Sequence, residues 1–300
     1  MTGADMSSGG PRPQLHPELR CGDQTLVWGQ RTYVMGIVNI TPDSFSDGGR
    51  FLDPVAAYDH ACRLIDDGAD IIDLGAESTR PGSIPIGTQE ELARLMPVLA
   101  KLSAAGVRAI SVDTAKAEVA TAALQGGAAW INDVSGLADP ALAGAVAAGG
   151  ADALVVMHHR PMRADRAEDD VSYGDVIAEV RGELSRLVAL AVAAGAAPHK
   201  VVVDPGIGFG KTAAGNLALL ARAGELRQLG HAVLVGPSRK RFLSVLSGAA
   251  TLSERDQATV GACCLAARSG ADLVRVHDVA GVRRALAIID ATRATDPSAR

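Results

Sequence analysis

The chain has 300 residues, 48% of them hydrophobic and 21% charged, with a formal net charge of −5 and a sequence pI of about 5.8. That acidic balance excludes a sequence-independent attraction to nucleic acid. The length permits two domains, but a single α/β barrel also runs this long.

No charged segment followed by an apolar one opens the chain, so no signal peptide is expected. The most apolar stretch, residues 142–157, is too short to span a bilayer and contains Asp152. A soluble, cytoplasmic protein with no membrane partner is expected. Four cysteines, Cys21, Cys62, Cys263 and Cys264, lack metal-ligand spacing and read as free thiols in a reducing compartment. Aromatics are only 3% of the chain, so Leu, Val, Ile and Ala must build the core.

Residues 1–20 are rich in Gly, Pro and Ser and read as a disordered lead-in. Residues 24–28 and 31–35 flank Gly29 and predict a hairpin. Residues 33–38 form a continuous apolar run, which suits a strand buried on both faces. From there the pattern alternates. Helices are expected at 54–68, 88–105, 116–125, 140–148, 175–194, 216–229, 257–268 and 282–292. Between them, strands are expected at 71–77, 109–114, 130–134, 153–158, 201–204, 232–236 and 273–277. Eight strand–helix units predict a (β/α)8 barrel, one domain over 21–293 with a flexible tail at 294–300. An open doubly wound sheet would carry a Gly-x-Gly-x-x-Gly turn after its first strand, and none follows Met35. Gly206-Ile-Gly-Phe-Gly-Lys lacks the spacing of a nucleotide P-loop.

The polar residues of a barrel's strand ends converge on one mouth. Here they are Asn39; Glu77-Ser-Thr-Arg-Pro-Gly; Asp113-Thr; Asn132-Asp; His158-His-Arg; Asp204-Pro-Gly; Ser238-Arg-Lys; and Arg275-Val-His-Asp. Each alone reads as readily as a helix cap or a loop solubiliser. Taken together, Arg80, Lys240, Arg275 and His277, with Thr79, suit phosphate oxygens. Asp113, Asn132 and Asp204 suit the adjacent N–H groups of a flat heterocycle. Asn39 offers a neutral oxygen to Mg²⁺, which shares phosphate oxygens and waters.

The stretch Gly36-Ile-Val-Asn-Ile-Thr-Pro-Asp-Ser-Phe-Ser-Asp-Gly-Gly resembles the dihydropteroate synthase family. So do Glu77-Ser-Thr-Arg-Pro-Gly, Ile131-Asn-Asp-Val, Asp204-Pro-Gly-Ile-Gly-Phe-Gly-Lys, Ser238-Arg-Lys and Arg275-Val-His-Asp. The resemblance runs from about residue 35 to about residue 292, with the motifs in order. It implies condensation of (7,8-dihydropterin-6-yl)methyl diphosphate with 4-aminobenzoate, releasing diphosphate, in folate synthesis. Mg²⁺ as cofactor, sulfonamides as inhibitors and a homodimer through the late helices are implied with it.

Carried over by motif, Asp113, Asn132, Met157, Asp204, Gly236 and Lys240 would hold the pterin, with Asp113, Asp204 and Lys240 catalytic. Thr79, Arg80, Arg275, Val276 and His277 would hold the diphosphate. Phe45, Pro81, Phe209 and Ser238 would border the 4-aminobenzoate. Asn39 would bind the metal. Loops 39–50 and 78–87 would close over the site and exclude water. His158 and His159 face opposite ways if still in a strand, which favours pocket or loop roles over metal ligation. Corrinoid-linked methyl transfer, a Schiff-base aldolase using Lys240 and a non-catalytic pterin-binding paralogue are the competing readings.

Overall fold

The computed structural model describes residues 14–41, 53–78, 83–160 and 173–295. Eight parallel strands close into a barrel: β3 (Tyr33–Asn39), β4 (Ile71–Gly75), β5 (Ile110–Asp113), β6 (Trp130–Asp133), β7 (Ala153–Met157), β8 (Val201–Asp204), β9 (Ala232–Val235) and β10 (Leu273–Val276). Closure is made by β10 on β3, with Leu273 opposite Tyr33 and Val276 opposite Gly36. The helices between strands are α1 (Pro54–Asp66), α2 (Thr88–Ala104), α3 (Ala117–Gln125), α4 (Leu142–Ala148), α5 (Val176–Ala193), α6 (Ala213–Ala221), α7 (Arg241–Ser247), α8 (Leu252–Arg268) and α9 (Val279–Thr295).

Two strands precede the barrel, β1 (Glu18–Cys21) and β2 (Gln24–Val27), paired antiparallel about Gly22-Asp23. The expected hairpin is therefore present but displaced. Residues 31–35 do not pair with 24–28. An apolar run beginning at Tyr33 is buried on both faces and is used in the barrel wall instead. Residues 18–20, expected in a disordered lead-in, form most of β1, while 1–13 lie outside the described residues.

The helix expected at 216–229 is also interrupted. It splits into α6 and a 3-10 segment, Ala223–Leu229. At the break Gly224 N–H donates to Ser269 O at 2.7 Å, so close that a Cβ there would collide with that carbonyl. The short helix α7, ended by Gly248, was not anticipated. α8 starts earlier than expected, at a capping box in which the Thr251 side chain accepts from Glu254 N and the Glu254 side chain returns to Thr251 N.

Alternation along each strand sorts side chains to the two sides of the wall. Val34, Val38, Ile72, Leu74, Val112, Ile131, Val156, Val203, Val235, Val274 and Val276 pack with the helices. Tyr33, Met35, Ile71, Trp130, Val155, Val202, Leu234 and Leu273 fill the lower interior together with Leu19, Cys21 and Leu26 of the hairpin. Further up, the inward positions of most strands are polar, Asn39, Asp73, Ser111, Asp113, Asn132, Asp204 and Arg275, with Ile37, Met157 and Gly236 between them. One change of composition within the barrel thus creates a polar floor at its carboxyl end. All four cysteines are free, with Cys21 and Cys263 buried and the other two half-buried.

Candidate active site

Arg275 is the hub of that floor. Its Nε donates to Asp73 Oδ2 at 2.6 Å and its Nη2 to Asp113 Oδ2 at 2.8 Å. Asn132 Nδ2 donates to the same Asp73 oxygen at 3.2 Å. Asp73 Oδ1, Asn132 Oδ1 and Ser111 Oγ are buried without a hydrogen-bond partner among the described residues. Buried polar atoms are rarely left so, and an acceptor kept unpaired at a barrel's carboxyl end suits a ligand's N–H.

Burial pushes the Asp113 carboxyl up to about 7, with Arg275 opposing and Asp73, Asp133 and Glu91 adding to the rise. Burial also pushes Asp204 up to about 6. Its Oδ1 accepts Gly206 N–H at 2.6 Å, and Lys211, Lys240 and Arg275 limit the rise. Two carboxyls near neutrality in one buried mouth mark a functional site. Met157 stands opposite Asp204 in the sheet register. Gly236 leaves open the space where a Cβ would lie 4.0 Å from Asp204 Oδ2 and 3.8 Å from Arg275 Cβ.

A second cluster joins β3, β9 and β10. Asn39 Nδ2 lies 3.3 Å from His277 Nε2, and His277 Nδ1 lies 2.8 Å from Ser238 Oγ. With Asn39 donating, Nε2 is the acceptor and Nδ1 carries the proton to Ser238. Asn39 Oδ1 and Asp113 Oδ2 flank Gly75, whose absent Cβ would lie 3.9 and 3.8 Å from them. A neutral amide oxygen beside a carboxyl oxygen is a donor pair of the kind Mg²⁺ takes when diphosphate and water complete its shell. Among the described residues no group of three or more His, Cys, Asp or Glu could hold a metal alone.

The third cluster is on the β8–α6 loop. Lys240 Nζ lies 3.8 Å from the centroid of the Phe209 ring, on which the His159 ring also packs at 5.5 Å. His158 and His159 do diverge as expected: His158 Nδ1 meets Lys211 Nζ at 2.9 Å, and His159 Nδ1 donates to Val134 O at 3.0 Å.

The structure therefore brings together Asn39, Asp113, Asn132, Met157, Asp204, Phe209, Gly236, Ser238, Lys240, Arg275 and His277. Val276 is the exception. Between two inward neighbours its side chain packs among the helices, so only its backbone can reach the mouth. Phe45, Thr79, Arg80 and Pro81 lie outside the described residues, as does much of the two loops expected to close. Arg239, beside Lys240 in sequence, turns to Asp256 at 2.7 and 2.8 Å. Asp133 accepts from Ser135 and Leu137 in its own loop. Sequence reasoning missed Asp73 and Lys211. Asp73 lies inside a strand rather than at its end, and only its inward parity with Ile71 signals it.

The pterin binding enzyme family matches residues 35–277. The dihydropteroate synthase of Mycobacterium leprae is 48% identical over 264 residues, 86% of this chain and 92% of that one. That of Synechocystis is 44% identical over 277 residues, covering 92% and 95% of the two chains. The structure of Xanthomonas albilineans dihydropteroate synthase with 4-aminobenzoic acid superposes with a TM-score of 0.85 at 44% identity, covering 93% of this chain and 98% of that one. With its barrel, its strand-end motifs and these relatives in agreement, the chain belongs to the dihydropteroate synthase family of pterin binding enzymes.

Proposed function

We propose that the polar floor divides the dihydropteroate synthase reaction among the residues gathered there. The reaction joins (7,8-dihydropterin-6-yl)methyl diphosphate to 4-aminobenzoate. The amine nitrogen bonds to the methylene carbon, the C–O bond breaks with its electrons going to diphosphate, and one N–H proton is lost.

Asp113, Asn132 and Asp204 accept and donate along the edge of the pterin, with Lys240, Met157 and Gly236 bordering it. Ionised Asp113 and Asp204 offset the positive charge that develops on the pterin as diphosphate departs. Arg275, His277 and the Val276 backbone take the diphosphate, joined by Thr79 and Arg80. Phe209 and Ser238 border the 4-aminobenzoate, with Phe45 and Pro81. Asn39 would hold Mg²⁺ through its amide oxygen, and the ion would supply charge neutralisation for the diphosphate. The observation that carries this assignment is the set of buried polar atoms left without a partner among the described residues, Asp73 Oδ1, Ser111 Oγ and Asn132 Oδ1, on the floor that also holds the raised carboxyls of Asp113 and Asp204.

A homodimer through the late helices fits the apolar side chains exposed there, Val245 at 71%, Leu246 at 54%, Leu252 at 61% and Ile288 at 69%. Light scattering at the mass of one chain would refute it. A cytoplasmic location agrees with the described helices, none long and apolar enough to cross a membrane.

The functional test follows diphosphate release and dihydropteroate formation in parallel, with Mg²⁺, with and without 4-aminobenzoate. The expected outcome is equal release and formation when both substrates are present. Bound pterin diphosphate with no turnover would overturn the assignment.

A further inference from the structure

Lys211 is fully buried, yet none of the described carboxylates forms an ion pair with it. Its Nζ lies 2.8 Å from Gly206 O, 2.9 Å from Phe209 O and 2.9 Å from His158 Nδ1, with His158 O at 3.5 Å. Three N–H donors thus meet three neutral acceptors. Burial is costly to the ammonium and pushes Lys211 down to about 7, with Asp204 opposing the fall, and methionine would fill similar space without that cost.

What the ammonium does is gather groups that would otherwise repel. Gly206, Gly208 and Gly210 have φ of +67°, +78° and +62°, a left-handed run that turns the Gly206 and Phe209 carbonyls toward one centre. The Phe209 ring then stands beneath Lys240, whose stem fits because a Cβ on Gly208 would lie only 2.8 Å from Lys240 Cδ. Burial drops the His158 ring to about 4, with Lys211 adding to the fall, so Nδ1 stays an acceptor at neutral pH. Asp204 has its own anchors in β8 and at Gly206 N–H. At the loop tip Phe209 N–H donates to Gly206 O at 3.0 Å and Gly208 N–H to Asn216 Oδ1 at 2.7 Å, and the Phe209 carbonyl adds its bond from Lys211.

We propose that Lys211 is a positioning residue for 4-aminobenzoate: its Nζ ties the Gly206 and Phe209 carbonyls to the His158 ring and so fixes the Phe209 ring against Lys240. This rests on the reading that Phe209 borders 4-aminobenzoate, and the experiment separates the two.

Steady-state kinetics are measured for Lys211→Met, His158→Phe and Phe209→Ala, with pterin diphosphate affinity measured separately. In Lys211→Met the KM for 4-aminobenzoate is expected to rise about tenfold, while pterin diphosphate affinity and kcat at saturation change by less than about threefold. His158→Phe keeps a ring but removes one acceptor, and moves the same KM by less. A purely structural role would lower kcat and both affinities together. If Phe209→Ala raises the KM for 4-aminobenzoate and Lys211→Met leaves it unchanged, the inference is overturned. If Phe209→Ala leaves it unchanged, the reading of Phe209 fails and takes the inference with it. Should Lys211→Met not fold, His158→Phe carries the same test, and an unchanged KM there overturns the proposal.

Discussion

The two ends of the barrel use aspartate in opposite ways. At the amino end, the triplet Gly-Ala-Asp recurs at 68–70, 150–152 and 270–272, each time just before a strand. Asp70 accepts Val34 N–H at 2.8 Å, the Arg31 fork at 2.6 and 3.0 Å, and Arg283. Asp272 accepts Val233 N–H at 3.0 Å, and Asp152 accepts Gly22 N–H at 2.9 Å. These carboxylates stitch strand starts to their neighbours and to the hairpin that plugs the barrel. At the carboxyl end Asp73 and Asp113 share one cation, Arg275, Asp73 keeps an oxygen without a partner among the described residues, and Asp113 and Asp204 are raised toward neutrality. The same side chain stabilises where its partners belong to the protein and binds where they must come from a ligand.

That contrast breaks most sharply under a pair of substitutions. Asp70→Ala strands Arg31 and Arg283 beside the strand and leaves Val34 N–H unpaired. It is expected to cost about 3–5 kcal/mol in chemical denaturation, with kcat/KM of the folded enzyme within about threefold of the parent. Asp204→Asn is expected to do the reverse. It lowers kcat/KM by about two to three orders of magnitude, some 3–4 kcal/mol of transition-state stabilisation, as does Lys240→Ala. Removing a buried charge leaves the melting temperature equal or higher. Comparable unfolding in Asp70→Ala and Asp204→Asn would erase the distinction between the ends.

A pH series sharpens the contrast with a smaller effect. Asp204 is raised from 3.8 to about 6 and Asp113 from 3.8 to about 7. Both therefore bind a proton more tightly folded than unfolded. Their favourable contribution to stability is full below 3.8 and is lost as pH rises through about 6 to 7. Ligand binding runs the other way, because only the ionised carboxylate accepts a pterin N–H without losing an acceptor. The affinity for a pterin lacking the diphosphate, whose phosphates cannot then titrate, is expected to rise up to about tenfold per pH unit below about 6 and to level off above about 7. A flat profile would remove the carboxylates from the pterin contact. Asp204→Asn should abolish the lower part of the slope.

How far this division was legible in the sequence depends on the range of the forces involved. The strand-end set could be read because a barrel forces strand ends together, so Asp113, Asn132, Asp204 and Arg275 needed only their place in the alternation. Parity also tells which neighbour points inward: Arg275 and His277 do, so Val276 cannot. The hairpin was misplaced because residues 24–27 and 31–35 are equally strand-like locally. Only the pairing of Tyr33 with Leu273, some 240 residues away, decides between them. Lys211 was passed over because lysine reads as solvent-exposed. Its burial follows from three left-handed glycines that aim carbonyls at it, and the sequence displays the glycines but not where their carbonyls point. The break before Gly224 likewise comes from a close approach to Ser269 that no local propensity contains.

The smallest effect expected tests whether a single hydrogen bond obeys the same division. Trp130 Nε1–H donates to Arg20 O at 2.7 Å, fastening the hairpin beneath the barrel. Trp130→Phe keeps most of the packing and loses that bond, for about 1 kcal/mol in denaturant unfolding and no kinetic change. Ser238 Oγ at the other end receives the His277 Nδ1 proton at 2.8 Å and His277 N–H at 3.2 Å. Ser238→Ala removes a bond of similar kind, but its loss frees the His277 ring that Asn39 also holds. It is expected to raise the KM for pterin diphosphate about threefold while stability falls by less than about 1 kcal/mol. If both variants lost only stability, the Asn39–His277–Ser238 chain would be a strap across the strand ends, and the diphosphate would have to be held by Arg275 and the groups beyond it.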